Sequence, residues 1–76
     1  MKARRDDRIL CENGHVGGRF LRDVPDNRRV QTDDLSIAGQ LMTAGAGFEC
    51  SECHAPIARQ IAPDRWEVRT LTGWIR

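Results

Sequence analysis

Hydrophobic and polar residues alternate only in short stretches at the start of this chain, a pattern typical of short β-strands. The stretch "RILC", residues 8–11, predicts a first strand. Residues 18–24 alternate in part and predict a second one. The "PDN" that follows is a turn signal, because Pro presets its backbone angle and Asp and Asn favour tight turns. "RRVQT", residues 28–32, is therefore predicted to be the return strand of a hairpin.

The carboxyl-terminal third predicts two further strands, "PIARQI" and "RWEVRTLTGWI", around an "APDR" turn at residues 62–65. A period of two along the last strand places Trp66, Val68, Thr70, Thr72 and Trp74 on one face. It places Glu67, Arg69, Leu71 and Ile75 on the other. Trp66 and Val68 are expected in the core. Trp74 and Ile75 either cover that core or form an exposed anchor for a partner, since aromatic residues dominate interface hot spots.

One segment, "TDDLSIAGQLMTAGAG", has helical periodicity. Acidic residues suit the first turn of a helix, and an apolar stripe follows at positions i, i+3, i+6 and i+7. Gly39 opposes a helix by about 1 kcal/mol relative to alanine. A short helix near residues 34–44 is predicted, with a stripe formed by Leu35, Ala38, Leu41 and Met42.

The length of 76 residues and a hydrophobic fraction of 39% limit the size of the core. A domain of this size buries about 60% of the surface of its unfolded chain, so a metal, a disulfide or a partner is often needed for stability. Residues 1–8 carry mostly charged side chains and are predicted to be a flexible terminus. Residues 9–76 are predicted to form a single domain.

The chain contains three cysteines, an odd number that a closed disulfide framework does not account for. No apolar run of signal-peptide type follows the basic start, and no stretch approaches the roughly 20 apolar residues of a membrane helix. A cytoplasmic protein without a membrane association is therefore expected, with its thiols reduced.

The stretch "CSECH", residues 50–54, allows two metal chemistries. C-x-x-C-H is the attachment motif of a c-type haem, which needs export and an apolar pocket larger than this composition supplies. C-x-x-C is also half of a zinc site, and Cys11 and His15 supply the other half as C-x-x-x-H. Four S/N ligands in two closely spaced pairs are what a tetrahedral zinc ion requires. We expect one Zn²⁺ bound by Cys11, His15, Cys50 and Cys53, with His54 as the alternative fourth ligand.

The zinc site is predicted to be structural. A catalytic zinc keeps three protein ligands and an open position for water. A deaminase would also need a Glu acid/base in an H-x-E or C-x-E context, and Gly47, Phe48 and Glu49 precede Cys50 instead. A non-enzymatic protein without a small-molecule substrate is therefore expected.

Strands flanking two ligand pairs resemble a zinc ribbon, on the evidence of Cys11, His15, Cys50 and Cys53. The phrases "ILCENGH" and "FECSECHAPI" also resemble the Com translational regulators of Mu-like phages. The predicted fold is a small zinc-stabilised β-rich domain, similar to a zinc ribbon, with two ligand loops, two short hairpins and the short helix near residues 34–44. The resemblance also implies messenger-RNA binding, as in the Com proteins.

Charge leaves two functions open. The net charge of +1 and the apolar "GWI" near the carboxyl end favour a protein-interaction module or small regulator within a larger assembly, with Trp74 and Ile75 as anchors. The alternative is a nucleic-acid-binding protein, since arginine contacts phosphate well. The arginines that would do so are Arg4, Arg5, Arg8, Arg19, Arg22, Arg28 and Arg29. Aspartates interspersed among them favour the first function.

Overall fold

The computed structural model describes residues 1–41 and 46–76. In these ranges the regular elements are β-strands, apart from one 3₁₀ turn at Thr32–Asp34. The strands are β1 (Arg8–Leu10), β2 (Val16–Phe20), β3 (Leu35–Ile37), β4 (Gln40–Leu41), β5 (Gly47–Glu49), β6 (Pro56–Ala62), β7 (Arg65–Thr70) and β8 (Gly73–Ile75). No helix in the described ranges has the length and apolar character to cross a membrane. The predicted β-rich class is confirmed.

The first sheet has three antiparallel strands in the order β1-β2-β3. Gly18 lies at the point where β2 meets β3, with a φ of 145°. A Cβ atom at this position would collide with the carbonyl oxygen of Ser36 in β3. Only glycine therefore allows these two strands to approach this closely.

The second sheet is an antiparallel meander of five strands, β4-β5-β6-β7-β8. The predicted turn at residues 62–65 is confirmed, with Asp64 in the left-handed region at a φ of 56°. The predicted last strand is wrong in its length, because the chain turns again at 71–72 and separates β7 from β8. Gly73, at a φ of 113°, permits that turn.

This second turn changes which side chains share a face. Residues that pair directly across antiparallel strands lie on the same face. Val68 pairs with Ile75, and Arg69 pairs with Trp74. The prediction that Trp74 shares the face of Val68 is therefore wrong, because it extended one alternation through a turn. Ile75 lies on that face instead.

A single core joins residues from both sheets. Trp66 and Val68 belong to it as predicted, at 9% and 0% exposure. The Trp66 backbone N–H donates to the Val30 carbonyl at 3.0 Å, and its indole Nε1 donates to Thr32 Oγ1 at 2.8 Å. Among the described residues, the completely buried apolar side chains are Ile9, Phe20, Val24, Val30, Ile57, Ala58 and Val68, together with the nearly buried Ala3.

The predicted hairpin with a return strand at residues 28–32 is wrong, because this segment forms no strand. Its backbone instead curls around the buried carboxylate of Asp34, which is 0% exposed. That carboxylate accepts hydrogen bonds from the Arg28 guanidinium at 2.8 and 3.0 Å and from the Gln31 backbone N–H at 2.8 Å. These bonds favour a compact turn over an extended strand.

The predicted helix near residues 34–44 is also wrong over residues 35–41, where β3 and β4 lie. Residues 42–44 lie outside the described residues. Leu35 and Ile37 alternate along β3 and pack against the core. A Cβ atom at Gly39 would collide with the carbonyl oxygen of Glu49. Tertiary packing of an extended chain therefore overrides a weak helical periodicity.

The first eight residues, predicted to be a flexible terminus, are mostly exposed but contact the rest of the domain at several points. Ala3 is 3% exposed and forms an antiparallel bridge with Val24. The Arg5 backbone N–H donates to Asp23 Oδ1 at 2.8 Å. Arg8 already belongs to β1. These contacts connect the segment to the rest of the domain.

Candidate metal centre

The first pair of candidate ligands lies in the loop that joins β1 to β2. The Cys11 backbone N–H donates to the His15 carbonyl at 3.0 Å, and the Gly14 N–H donates to the Cys11 carbonyl at 2.9 Å. Gly14 has a φ of 85°, which favours glycine. The His15 backbone N–H also donates to Cys11 Sγ at 3.3 Å. This tight loop places both side chains on one side of the turn.

The second pair lies in the loop that joins β5 to β6, in the other sheet. The Cys50 backbone N–H donates to the Ala55 carbonyl at 2.8 Å, and the His54 N–H donates to the Cys50 carbonyl at 2.9 Å. His54 takes the left-handed conformation that closes this turn, at a φ of 61°. The two loops are therefore similar, although the second is one residue longer between its hydrogen bonds, and each presents two candidate ligands at its turn.

The four predicted ligand atoms converge on one point, all within 4.8 Å of one another. His15 Nδ1 lies 3.4 Å from Cys11 Sγ and 3.6 Å from Cys50 Sγ, and Cys53 Sγ lies 3.6 Å from Cys11 Sγ. Ideal zinc bond lengths give tetrahedral edges of about 3.6 Å for S–N and about 3.8 Å for S–S. The cluster therefore has the size of a tetrahedral metal site and could bind a metal ion.

Burial and hydrogen bonding set the protonation of these groups in the metal-free chain. Burial raises the pKa of Cys11, which is 4% exposed. The backbone N–H of Ala55, then the Asn13 side chain and His15, lower the pKa of Cys53 to about 6. Contacts with Cys53 and Cys50 raise the pKa of His15. Cys53 is therefore the thiol that ionises most readily, whereas Cys11 and His15 hold their protons more strongly. A bound metal ion would displace those protons.

A carboxylate that the sequence analysis did not single out supports the imidazole. Glu52 Oε2 lies 3.0 Å from His15 Nε2, while Nδ1 of the same ring faces the sulfurs. Such a partner fixes the tautomer and orientation of a metal-binding histidine. The sequence does contain a sign of this contact, because Glu52 lies between Cys50 and Cys53, inside the second ligand loop.

The structure brings His15, and not His54, to the three sulfurs. His54 Nδ1 instead lies 2.9 Å from Glu49 Oε2, and its side chain is 64% exposed. The backbone of His54 is in the left-handed region, and its side chain points away from the sulfurs. Between the two histidines that the sequence left open, His15 is the one that completes the cluster.

Three of the seven arginines proposed for phosphate contacts form ion pairs with aspartates. Arg19 Nη1 lies 2.9 Å from Asp6 Oδ1. Arg22 and Arg28 both contact Asp34, at 3.3 and 2.8 Å. Arg28 therefore stabilises a buried carboxylate. The others, Arg4, Arg5, Arg8 and Arg29, are exposed.

The two candidate anchors for a partner lie on opposite faces of the second sheet. Ile75 is half-buried and packs against the core. Trp74 is also half-buried, and the Arg59 guanidinium carbon lies 4.3 Å from the centroid of its ring. Only Trp74 of this pair is placed to meet a partner on the face away from the core.

No protein-family model, no curated protein and no solved structure matches this chain. The resemblance to zinc ribbons and to Com regulators stays a prediction. The case for function therefore rests on the site and on the surface of the protein itself.

Proposed function

We propose that this chain binds one Zn²⁺ through Cys11, His15, Cys50 and Cys53 and that the ion has a structural role. The supporting observation is the convergence of three sulfurs and one imidazole nitrogen at tetrahedral spacing. Tetrahedral sites rich in thiolate favour zinc or an iron–sulfur cluster among common biological metals. A single imidazole in a compact four-atom cluster suits one zinc ion.

A structural ion fits the way in which the ligands are supplied. The four protein ligands would fill a tetrahedron, so no position would remain for a reacting water. One ligand pair comes from the first sheet and the other from the second. The bound ion would therefore connect the two sheets at the end where β1 turns into β2 and β5 turns into β6.

With its metal site closed, the domain would act as a non-enzymatic binding module for a protein partner, within a larger assembly. Support comes from Trp74, a half-buried aromatic side chain on the face away from the core. Aromatic residues of this kind are frequent anchors at interfaces. A reducing compartment such as the cytoplasm would keep the three thiols available for the metal.

The metal can be tested directly by native mass spectrometry and elemental analysis of the purified protein. We expect one zinc per chain, and cobalt substitution should give the absorption bands of tetrahedral three-sulfur, one-nitrogen coordination. His15→Ala should change that spectrum, and His54→Ala should leave it unchanged. A metal-free protein, an iron–sulfur cluster, covalent haem or the reverse order of the histidine variants would contradict the proposal.

A further inference from the structure

One face of the second sheet is unusually rich in arginine. The register places Arg59 of β6 directly opposite Glu67 of β7, and Arg69 of β7 opposite Trp74 of β8. Arg65 lies two residues before Glu67 and so shares its face, and Arg76 reaches Glu67 from the end of β8. We call this set the outer face: Arg59, Arg65, Glu67, Arg69, Trp74 and Arg76.

The outer face is strongly positive although the chain is nearly neutral. Four arginines against one glutamate give the face a formal charge of +3. Because the whole chain carries +1, the remaining residues sum to −2. Positive charge is therefore concentrated on one side of the domain, a distribution that the total charge hides.

The single carboxylate of the outer face positions two of its arginines. Glu67 is 9% exposed, with Arg59 Nε 2.8 Å from Oε1 and Arg76 Nε 3.3 Å from Oε2. Both contacts use Nε. In the part of the chain that the structure describes, the terminal Nη atoms of these guanidiniums form no hydrogen bond. They remain available for an incoming carboxylate, which arginine binds through two parallel hydrogen bonds.

Trp74 adds an apolar surface at the centre of this charge. Arg59 lies over its ring, with the guanidinium carbon 4.3 Å from the centroid. Cation–π contact orders both side chains and presents the arginine in one orientation. An ordered aromatic group surrounded by arginines has the composition of an interface core rather than of a general soluble surface, since Trp and Arg are enriched at hot spots.

We propose that the outer face binds an acidic, extended segment of a partner protein; this deepens the binding function proposed above and rests on it. The face is about 13 Å long along β7 and about 10 Å wide across three strands, enough for about four extended residues. Carboxylates of that segment contact the guanidiniums, and an apolar side chain packs on Trp74.

A short acidic peptide fits this face better than a nucleic acid does. A polynucleotide carries a phosphate at every residue and would extend beyond so small a patch onto surfaces whose charge sums to −2. A peptide can confine its charge to the patch. The planar guanidiniums also match paired carboxylate oxygens in geometry.

Fluorescence anisotropy with three labelled probes tests the proposal on the full, metal-loaded chain at low salt. The probes are a peptide with Glu and Leu alternating at every second position and Thr between them, so that Glu and Leu share one face, the same peptide with Lys in place of Glu, and oligo-dT. Arg65→Ala with Arg69→Ala removes two charges from the outer face. Arg4→Ala with Arg5→Ala removes the same charge elsewhere and serves as the matched control.

We expect binding of the acidic peptide alone, weakened about fivefold to tenfold by the Arg65/Arg69 pair and less than about twofold by the control pair. Trp74→Phe should retain binding, whereas Trp74→Ala should weaken it about tenfold or more. Absence of acidic-peptide binding, equal losses in both arginine pairs, or preferred binding of oligo-dT would each overturn the proposal. Elemental analysis of every variant separates these results from a failure of the metal site.

Discussion

Glu52 Oε2 lies 3.0 Å from His15 Nε2, so a side chain of the second ligand loop supports the imidazole of the first. The contact crosses between the two sheets, since His15 precedes β2 and Glu52 precedes β6. It leaves Nδ1 of the ring directed at Cys11 and Cys50. The Glu52–His15 contact therefore helps to orient the two loops relative to each other, in addition to the four candidate ligands.

This contact predicts that Glu52→Gln lowers the affinity for Zn²⁺ about tenfold. This is the lower end of the loss in metal affinity that follows when a metal-binding histidine loses its hydrogen-bond partner. The amide retains the shape of the side chain but loses the charge that holds His15. Competition with a chromophoric chelator measures the effect. Glu49→Gln is the matched control, because Glu49 lies in the same region and contacts His54 instead. Equal affinities of the two variants would show that Glu52 does not act on the metal.

Removal of the metal should unfold most of the domain. Structural zinc contributes on the order of 10–16 kcal/mol of binding free energy in small zinc peptides, as much as or more than the net stability of about 5–15 kcal/mol of a typical domain. The ligands also connect the two sheets, so both should lose order together. Amide NMR spectra before and after chelation, with zinc removal verified by elemental analysis, measure this. Native dispersion that persists without metal would show that the core holds the fold alone.

The buried carboxylate of Asp34 predicts unequal effects of its two arginine partners. Arg28 makes two short bonds to it and has a side chain that is 31% exposed, whereas Arg22 is 57% exposed with one contact at 3.3 Å. Arg28→Ala should lower the free energy of unfolding by about 2–3 kcal/mol, as for hydrogen bonds to a buried charge. Arg22→Ala should cost about 0–1 kcal/mol. Denaturant titrations of both variants check the order, and equal losses would contradict it.

Asp34 also predicts a pH dependence. Burial alone would raise its pKa, but hydrogen bonds from Arg28 and Gln31 and the charges of Arg28 and Arg22 outweigh this and lower it. Because the pKa of Asp34 is lower in the folded than in the unfolded chain, its ionised carboxylate stabilises the domain. This stabilisation is complete above the ordinary pKa of about 4 and is lost as the pH falls through the pKa of the folded chain. The penalty of Asp34→Asn should therefore be constant from pH 7 to about 5 and shrink below 4. Urea titrations at pH values where elemental analysis still finds bound Zn²⁺ measure it, and a penalty that grows in acid would contradict the assignment.

The sequence could predict which four side chains converge because the spacing within each pair is a local property. Cys11, His15, Cys50 and Cys53 each lie in a short loop whose geometry depends on few residues. Asp34 shows the opposite case. An acidic residue is usually exposed, and its burial beside Arg28 depends on contacts that no periodicity encodes. The turn at residues 71–72 was missed for a related reason, since only Gly73 marks it and the alternation of apolar residues continues across it.

His54 follows Cys53 but closes the turn with its side chain directed away from the three sulfurs, and its φ of 61° makes a final prediction. A side chain in the left-handed region costs about 1–2 kcal/mol, and glycine removes that cost while losing about 0.5–1 kcal/mol to the flexibility of the unfolded chain. His54→Gly should therefore be neutral or stabilise the domain by up to about 1.5 kcal/mol relative to His54→Ala, which keeps the strain.

Thermal denaturation of the two His54 variants measures this difference, and elemental analysis should find one zinc in each. The Glu49 contact that both variants lose is solvent-exposed at the histidine, so it should contribute little. If glycine were less stable than alanine, the backbone at this position would not be held at positive φ. If either variant lost its metal, His54 would belong among the ligands.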